Sequence, residues 1–390
     1  MFLKINKYRL LFSFLSLFSL FISSVVVASP ALIPSPPQVS ASSYILMDGN
    51  SGSILINENS HKKLPPASLT KMMTAYIVEH EVAEGRINLY DEVPVSVKAW
   101  KTGGSKMFIK EGTKVVLEDL LKGVIIQSGN DASIALAEYV AGSEMAFADI
   151  MNQQAKLLGM NNTNFENATG LPSENHFSTA YDLALLAQAI INNYPEQYAL
   201  YAEKYFTYNN IRQPNRNRLL WRDKSVDGLK TGHTEEAGYC LVASAVRDDM
   251  RLISVVMGTK SENSRAQESQ KLLNYGFRYF ETHTLYKAGE ALTSSPVWFR
   301  LNDEVQLGLA QNVVLTIPRG QKDDLKAELV VEPIVEAPLS VGQKLGQLEL
   351  SLRDDIVASE TLVALEPVPE AGLFKRFWDF VKLFFIGLFS

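Results

Sequence analysis

Three short polar motifs follow one another along the chain: Ser68-Leu69-Thr70-Lys71, Ser128-Gly129-Asn130 and Lys230-Thr231-Gly232. Each is weak alone; together they require a fold that gathers three distant segments into one cleft. Serine is a poor nucleophile until a base takes its proton. Residues i and i+3 of a helix share a face, so Ser68 and Lys71 would set a hydroxyl beside an amine. A lysine is a base only when neutral, and burial or a neighbouring positive charge favours that form. Lys230 is the candidate for that charge. Ser128 could pass a proton to a leaving amine, and Asn130 could bond a substrate amide. The same three residues also suit an ordinary turn with a helix cap. Lys230-Thr231-Gly232 reads as an edge strand. Gly232 admits a close backbone, an extended peptide can add there as a further strand, and Lys230 and Thr231 would attract a carboxylate.

The pattern around these motifs gives the fold class as α/β in the α+β sense, a helical body beside a mainly antiparallel sheet built from both ends of the first domain. Tyr44–Met47 and Ile54–Ile56 flank Asp48-Gly49-Asn50-Ser51-Gly52, a hairpin signature. A helix is expected from near Ser68, and others over Val115–Ile126, Ala132–Val140, Met145–Leu158 and Thr179–Asn192, with Ser178 or Thr179 as a cap. Two strands, Cys240–Val246 and Leu252–Met257, and a helix over Ser264–Phe280 follow. Short β-prone runs between 283 and 366 suggest a small all-β domain.

Both ends read differently from the body. Lys4, Lys7 and Arg9 precede an apolar stretch from Leu10 to Val27 and the small residues Val26-Val27-Ala28, the pattern of a secretory signal peptide. The division is then 1–28 signal peptide, 29–282 catalytic domain, 283–366 β-rich domain and 367–390 linker and tail helix. In that tail Phe374, Phe377, Trp378, Val381, Phe384, Phe385 and Leu388 recur at helical spacing, with Lys375, Arg376, Asp379 and Lys382 opposite. Four charges argue against spanning a bilayer. A basic aromatic helix over 371–390 fits one lying on a membrane surface; the alternative is a helix docked on the protein's own β-rich domain.

The segments Pro65–Thr74, Gln127–Ala132 and Asp227–Thr234 with Ala237-Gly238-Tyr239 resemble the low-molecular-mass penicillin-binding proteins that are serine-type D-alanyl-D-alanine carboxypeptidases of the S11 peptidase type. The resemblance runs from about residue 40 to the tail. It implies a serine β-lactamase/DD-peptidase-like fold on the periplasmic face of the inner membrane. It implies that Ser68 attacks the bond between the terminal D-alanines of a peptidoglycan stem pentapeptide, with Lys71 as base and Ser128 as proton shuttle. Backbone N–H groups of Ser68 and His233 would form the oxyanion hole. Thr231 and Arg265 would hold the departing carboxylate, and β-lactam antibiotics would acylate Ser68. The His233 ring would either touch substrate or pack beside its strand.

Other classes are weighed against this one. A class A β-lactamase would carry a Glu-x-x-Leu-Asn loop; neither Glu166-Asn167-Ala168-Thr169-Gly170 nor Glu174–Ser178 matches it, so slow release of penicillin is expected. A DD-endopeptidase could use the same residues. A catalytically dead wall-binding protein would need neither Ser68 nor Lys71. No metal or cofactor is expected, since the five histidines are scattered and no His-Glu-x-x-His occurs. The formal charge is −6 with no basic cluster, which argues against nucleic acid. Cys240, the sole cysteine, excludes an internal disulfide and reads as an inert core thiol.

Overall fold

The computed structural model describes residues 33–300 and 304–389, so the expected signal peptide lies outside the described residues. Strands β1 (Ser43–Asp48) and β2 (Ile54–Glu58) form the hairpin. Its turn is closed by the Asp48 carboxylate, which accepts from the N–H groups of Asn50 and Ser51 at 2.8 and 2.9 Å. A tight 3-10 turn, Ala67–Thr70, then leads into helix α1 (Lys71–Ala83). Residues Lys71 to Glu79 of α1 are all buried, which marks a helix through the middle of the body rather than on its surface.

Helices α2 (Asn130–Ala141), α3 (Glu144–Leu157) and α4 (Ala180–Asn193) complete that body. Thr179 caps α4, its hydroxyl accepting from the Asp182 N–H. The helix expected over 115–126 is split. Val115-Val116, β-branched and extended, pair with Glu92–Pro94; a helix covers Leu117–Lys122, and a widened turn runs over Gly123–Gln127.

Strands β3 (Val226–Thr234), β4 (Gly238–Arg247) and β5 (Met250–Thr259) join the hairpin in one antiparallel sheet of order β2-β1-β5-β4-β3. Side chains alternate across it. Ile45, Met47, Val242, Ile253 and Val255 face the helical body, while Leu46, Leu241, Ala243, Leu252 and Val256 face helix α5 (Glu262–Tyr279). Strand β3 is an edge, as the sequence predicts, with β4 as its neighbour in the sheet. Its Gly232 lies against the Ala67–Thr70 turn: a Cβ there would come within 2.9 Å of the Pro66 carbonyl.

The remaining strands are β-rich with their own apolar clusters. Phe280–Tyr286 pairs with Val313–Pro318, and six further strands form a second sheet. Ser51 and Thr316 share a hydroxyl–hydroxyl bond of 2.6 Å, and the Thr282 hydroxyl donates to buried Asp48, so the hairpin turn is tied directly to the β-rich part.

Helix α6 (Leu373–Phe389) follows. Its Asp379 is buried and accepts from the Phe299 N–H at 3.1 Å, while Phe374, Phe377, Trp378, Phe380, Phe384 and Phe385 are each at least half exposed. Asp379 therefore faces the protein while these aromatics point outward. Among the described residues no helix is long and apolar enough to cross a membrane.

Candidate active site

The three motifs converge. Ser68, Ser128, Thr231, Gly232, His233 and Arg265 line one cleft of about 180 Å³, together with Ser105, Arg216, Tyr239 and Glu262. Lys71 lies beneath it, 1% exposed. Because Ser68 sits in a 3-10 turn, where positions i and i+3 eclipse, the Lys71 Nζ comes 3.1 Å from the Ser68 Oγ. The same nitrogen donates to Asn130 Oδ1 at 2.7 Å and to the Thr169 carbonyl at 2.5 Å.

The second motif is positioned by its flanks. The widened turn over Gly123–Gln127 ends at Ser128, which adopts a left-handed φ of 66°. That conformation is unfavourable for a side-chain-bearing residue and is held here by the surrounding packing. The Ser128 hydroxyl is buried and has no hydrogen-bond partner among the described residues. Next to it, Asn130 donates to the Gly103 carbonyl at 2.7 Å, and the Asp131 carboxylate accepts from the N–H groups of Met107 and Phe108. These bonds bind the 103–109 loop to the start of α2.

Electrostatics follow from burial. Desolvation pushes the Lys71 ammonium down to about 7; Asp131 opposes the shift and Arg216 adds to it. Arg216 thus adds a positive charge that bears on Lys71. Lys230, expected in that role, is itself wholly buried. Desolvation, with Lys71, Arg216 and Arg265, holds its ammonium well below the usual lysine range. An entering carboxylate would favour its protonated form.

The cleft's far end is cationic. Arg265, 4% exposed, donates to the Gly232 carbonyl at 3.1 Å and lies 5.6 Å over the Tyr239 ring. Its ion-pair partner is Glu262 at 3.8 Å, which also holds Arg218 at 2.6 Å. His233 stacks on Tyr239 with ring centroids 3.9 Å apart, so the ring packs beside its strand, and it also lines the cleft. Cys240 is buried and unpaired, and burial raises its thiol to about 11, the state of an inert core thiol.

Sequence reasoning missed Arg216 and the Thr169 carbonyl. Arg216 has no local signal: the alternation of buried Gln213, Asn215 and Asn217 with exposed Pro214, Arg216 and Arg218 shows only in the fold. A backbone carbonyl has none either.

Comparison with known proteins agrees with this geometry. A family model described as D-alanyl-D-alanine carboxypeptidase matches residues 31–261, and one described as the C-terminal domain of penicillin-binding protein 5 matches residues 280–370. The chain is 50% identical over 357 residues to D-alanyl-D-alanine carboxypeptidase DacC of Escherichia coli (strain K12), covering 90% of this chain and 89% of that protein. It is 44% identical to DacA of Haemophilus influenzae, covering 91% and 92%. The crystal structure of penicillin-binding protein 5 from Haemophilus influenzae superposes with a TM-score of 0.84 at 43% identity, covering 86% of this chain and all of that one.

Proposed function

The chain belongs to the D-alanyl-D-alanine carboxypeptidase family, and from that premise we propose that it releases the terminal D-alanine of peptidoglycan stem pentapeptides through an acyl-enzyme on Ser68. The observation that carries this reading is the Lys71 amine, buried, near neutrality, and 3.1 Å from the Ser68 Oγ. A neutral amine has two N–H groups and one lone pair. With the two N–H groups given to Asn130 and Thr169, the lone pair is left for the Ser68 hydroxyl proton. Ser68 then attacks the carbonyl between the two D-alanines, and the N–H groups of Ser68 and His233 receive the developing charge. Ser128, its hydroxyl unpaired, relays the proton to the departing amine. Thr231, Lys230 and Arg265 hold the departing carboxylate, and Asn130 bonds the peptide that lies along β3. Water releases the acyl group.

Penicillin enters by the same route and acylates Ser68. Glu166 is exposed and accepts from the Asn175 N–H at 3.0 Å, outside the residues that line the cleft. It is therefore not placed to activate water, and release of penicillin is slow.

The test uses a peptide ending in Lys-D-Ala-D-Ala and measures free D-alanine. Ser68→Ala should lower release by about a thousandfold or more and abolish penicillin labelling. Labelling that persists would place the nucleophile elsewhere. The proposed division is 29–282 for catalysis, 283–366 for the β-rich domain and 367–390 for linker and tail, with 1–28 a cleaved export signal. The outward aromatics of α6 then hold the enzyme on the periplasmic face of the inner membrane. Deleting 371–390 should free the processed protein from membranes with unchanged turnover of soluble peptide. Retention on the membrane would end the anchor reading.

A further inference from the structure

The loop that caps Lys71 is fastened by a histidine that no motif contains. Asn167 closes the turn, its Oδ1 accepting from the N–H groups of Thr169 and Gly170 at 3.1 and 2.8 Å. Gly170, at φ +79°, presses this turn onto the one that carries Ser68: a Cβ there would lie 1.8 Å from the Ala67 carbonyl oxygen. From the α1 side the Thr74 hydroxyl donates to the Ala168 carbonyl at 2.7 Å. His176 supplies the tie to the Ser68 turn. It is 5% exposed, its Nε2 lies 2.8 Å from the Thr70 Oγ1, and its Nδ1 accepts from the Glu166 N–H at 3.1 Å. That acceptor role assigns the ring proton to Nε2, which donates to Thr70.

We propose that His176 is a positioning residue for the base, a neutral imidazole that clamps the 165–171 loop onto the Ser68–Lys71 turn and so keeps the Thr169 carbonyl on Lys71 and water off it. The inference rests on Lys71 being the base. The ring's surroundings suit the role. Burial lowers its pKa to about 4, Lys71 adds to that effect, and Glu166 opposes it, so the ring is neutral where Lys71 works. Glu236 lines the same small pocket, and the edge of the ring packs 5.8 Å from Phe165.

The consequence is specific. Burial is the main cause of the low Lys71 pKa, so lifting the loop hydrates the amine and returns it toward the ordinary lysine range. Penicillin acylation is followed against pH for the full-length enzyme, for His176→Ala, for His176→Gln and for Thr70→Val, with melting temperatures alongside. His176→Ala should acylate at least about tenfold more slowly at pH 7, with its acid limb displaced upward by one unit or more and the rate recovering at alkaline pH. Glutamine has both a donor and an acceptor, so His176→Gln should restore most of the rate and the limb. Thr70→Val cuts the same bond without opening a cavity, decides the matter should His176→Ala fail to fold, and should move the limb in the same direction. An unmoved limb in Thr70→Val and in a folded His176→Ala would overturn the clamp, even with a lowered melting temperature. No acid limb in the unmodified enzyme would overturn the clamp together with the role of Lys71; a limb that is present but fixed would overturn the clamp alone.

Discussion

Methionine in place of Lys71 should lower penicillin acylation at pH 8 by about a thousandfold, the scale of a lost general base, in a protein that still folds. The unmodified enzyme should lose rate by about tenfold for each pH unit below its limb, which the buried amine places at about pH 7; the variant should show no such limb. Stability should move the other way. The folded pKa of Lys71 is depressed from its ordinary 10.5 to about 7, so between those values the unfolded chain holds a proton that the folded enzyme lacks. Stability from this group is full above the higher value and falls as pH drops toward the lower one. At pH 8 the buried lysine is therefore a burden, and methionine, apolar and of similar length, removes it. This is the exchange of stability for function that active sites make. Acylation within tenfold of the unmodified rate would remove Lys71 from the role of base.

Much of this site was legible before the structure, because its chemistry sits in side chains with characteristic neighbours. The helix start near Ser68, the edge-strand character of Lys230-Thr231-Gly232 and the cap at Thr179 follow from local rules of backbone and hydrogen bonding. What stayed hidden depends on contacts that local rules do not encode. Thr169 acts through a carbonyl, which every residue has. Arg216 bears on Lys71 only because the fold brings its segment to the rim of the cleft. A sequence also does not reveal that Lys230 is itself buried and desolvated. At 115–126 the apolar period fitted a helix, yet Val115 paired with Val93, a tertiary contact that overrode the local pattern. In the tail, Asp379 belonged with the solvent-facing charges by spacing, whereas the structure uses it to receive the Phe299 N–H.

Glutamine in place of Glu79 should flatten the dependence of stability on pH between pH 4.5 and 8. Glu79 lies on α1 two turns beyond Lys71, is 0% exposed, and neither carboxyl oxygen has a hydrogen-bond partner among the described residues. Its neighbours are aromatic: a charge on Glu79 would oppose ionisation of Tyr194 and Tyr201, and the Tyr201 hydroxyl is buried and likewise unpaired. With nothing to stabilise an anion, burial lifts the carboxyl from 4.5 to about 8. The sign follows from a folded pKa raised above the unfolded one. The contribution of Glu79 is fully present below pH 4.5 and is lost as pH rises through 8, because the unfolded chain releases a proton that the folded protein retains. Across that window the loss is on the order of 4 kcal/mol. Melting or denaturant midpoints at pH 5 and pH 8 would measure it. The unmodified protein should weaken between the two, and Glu79→Gln should weaken much less, so the variant's relative stability grows with pH. Comparing the two chains cancels every other titrating group. Glutamine buries an amide without partners just as neutral Glu79 buries a carboxyl without partners, so the two chains should be of similar stability at pH 5 and diverge on the way to pH 8. Parallel curves would mean that Glu79 is charged and paired in the folded protein, and that α1 does not enclose a neutral acid.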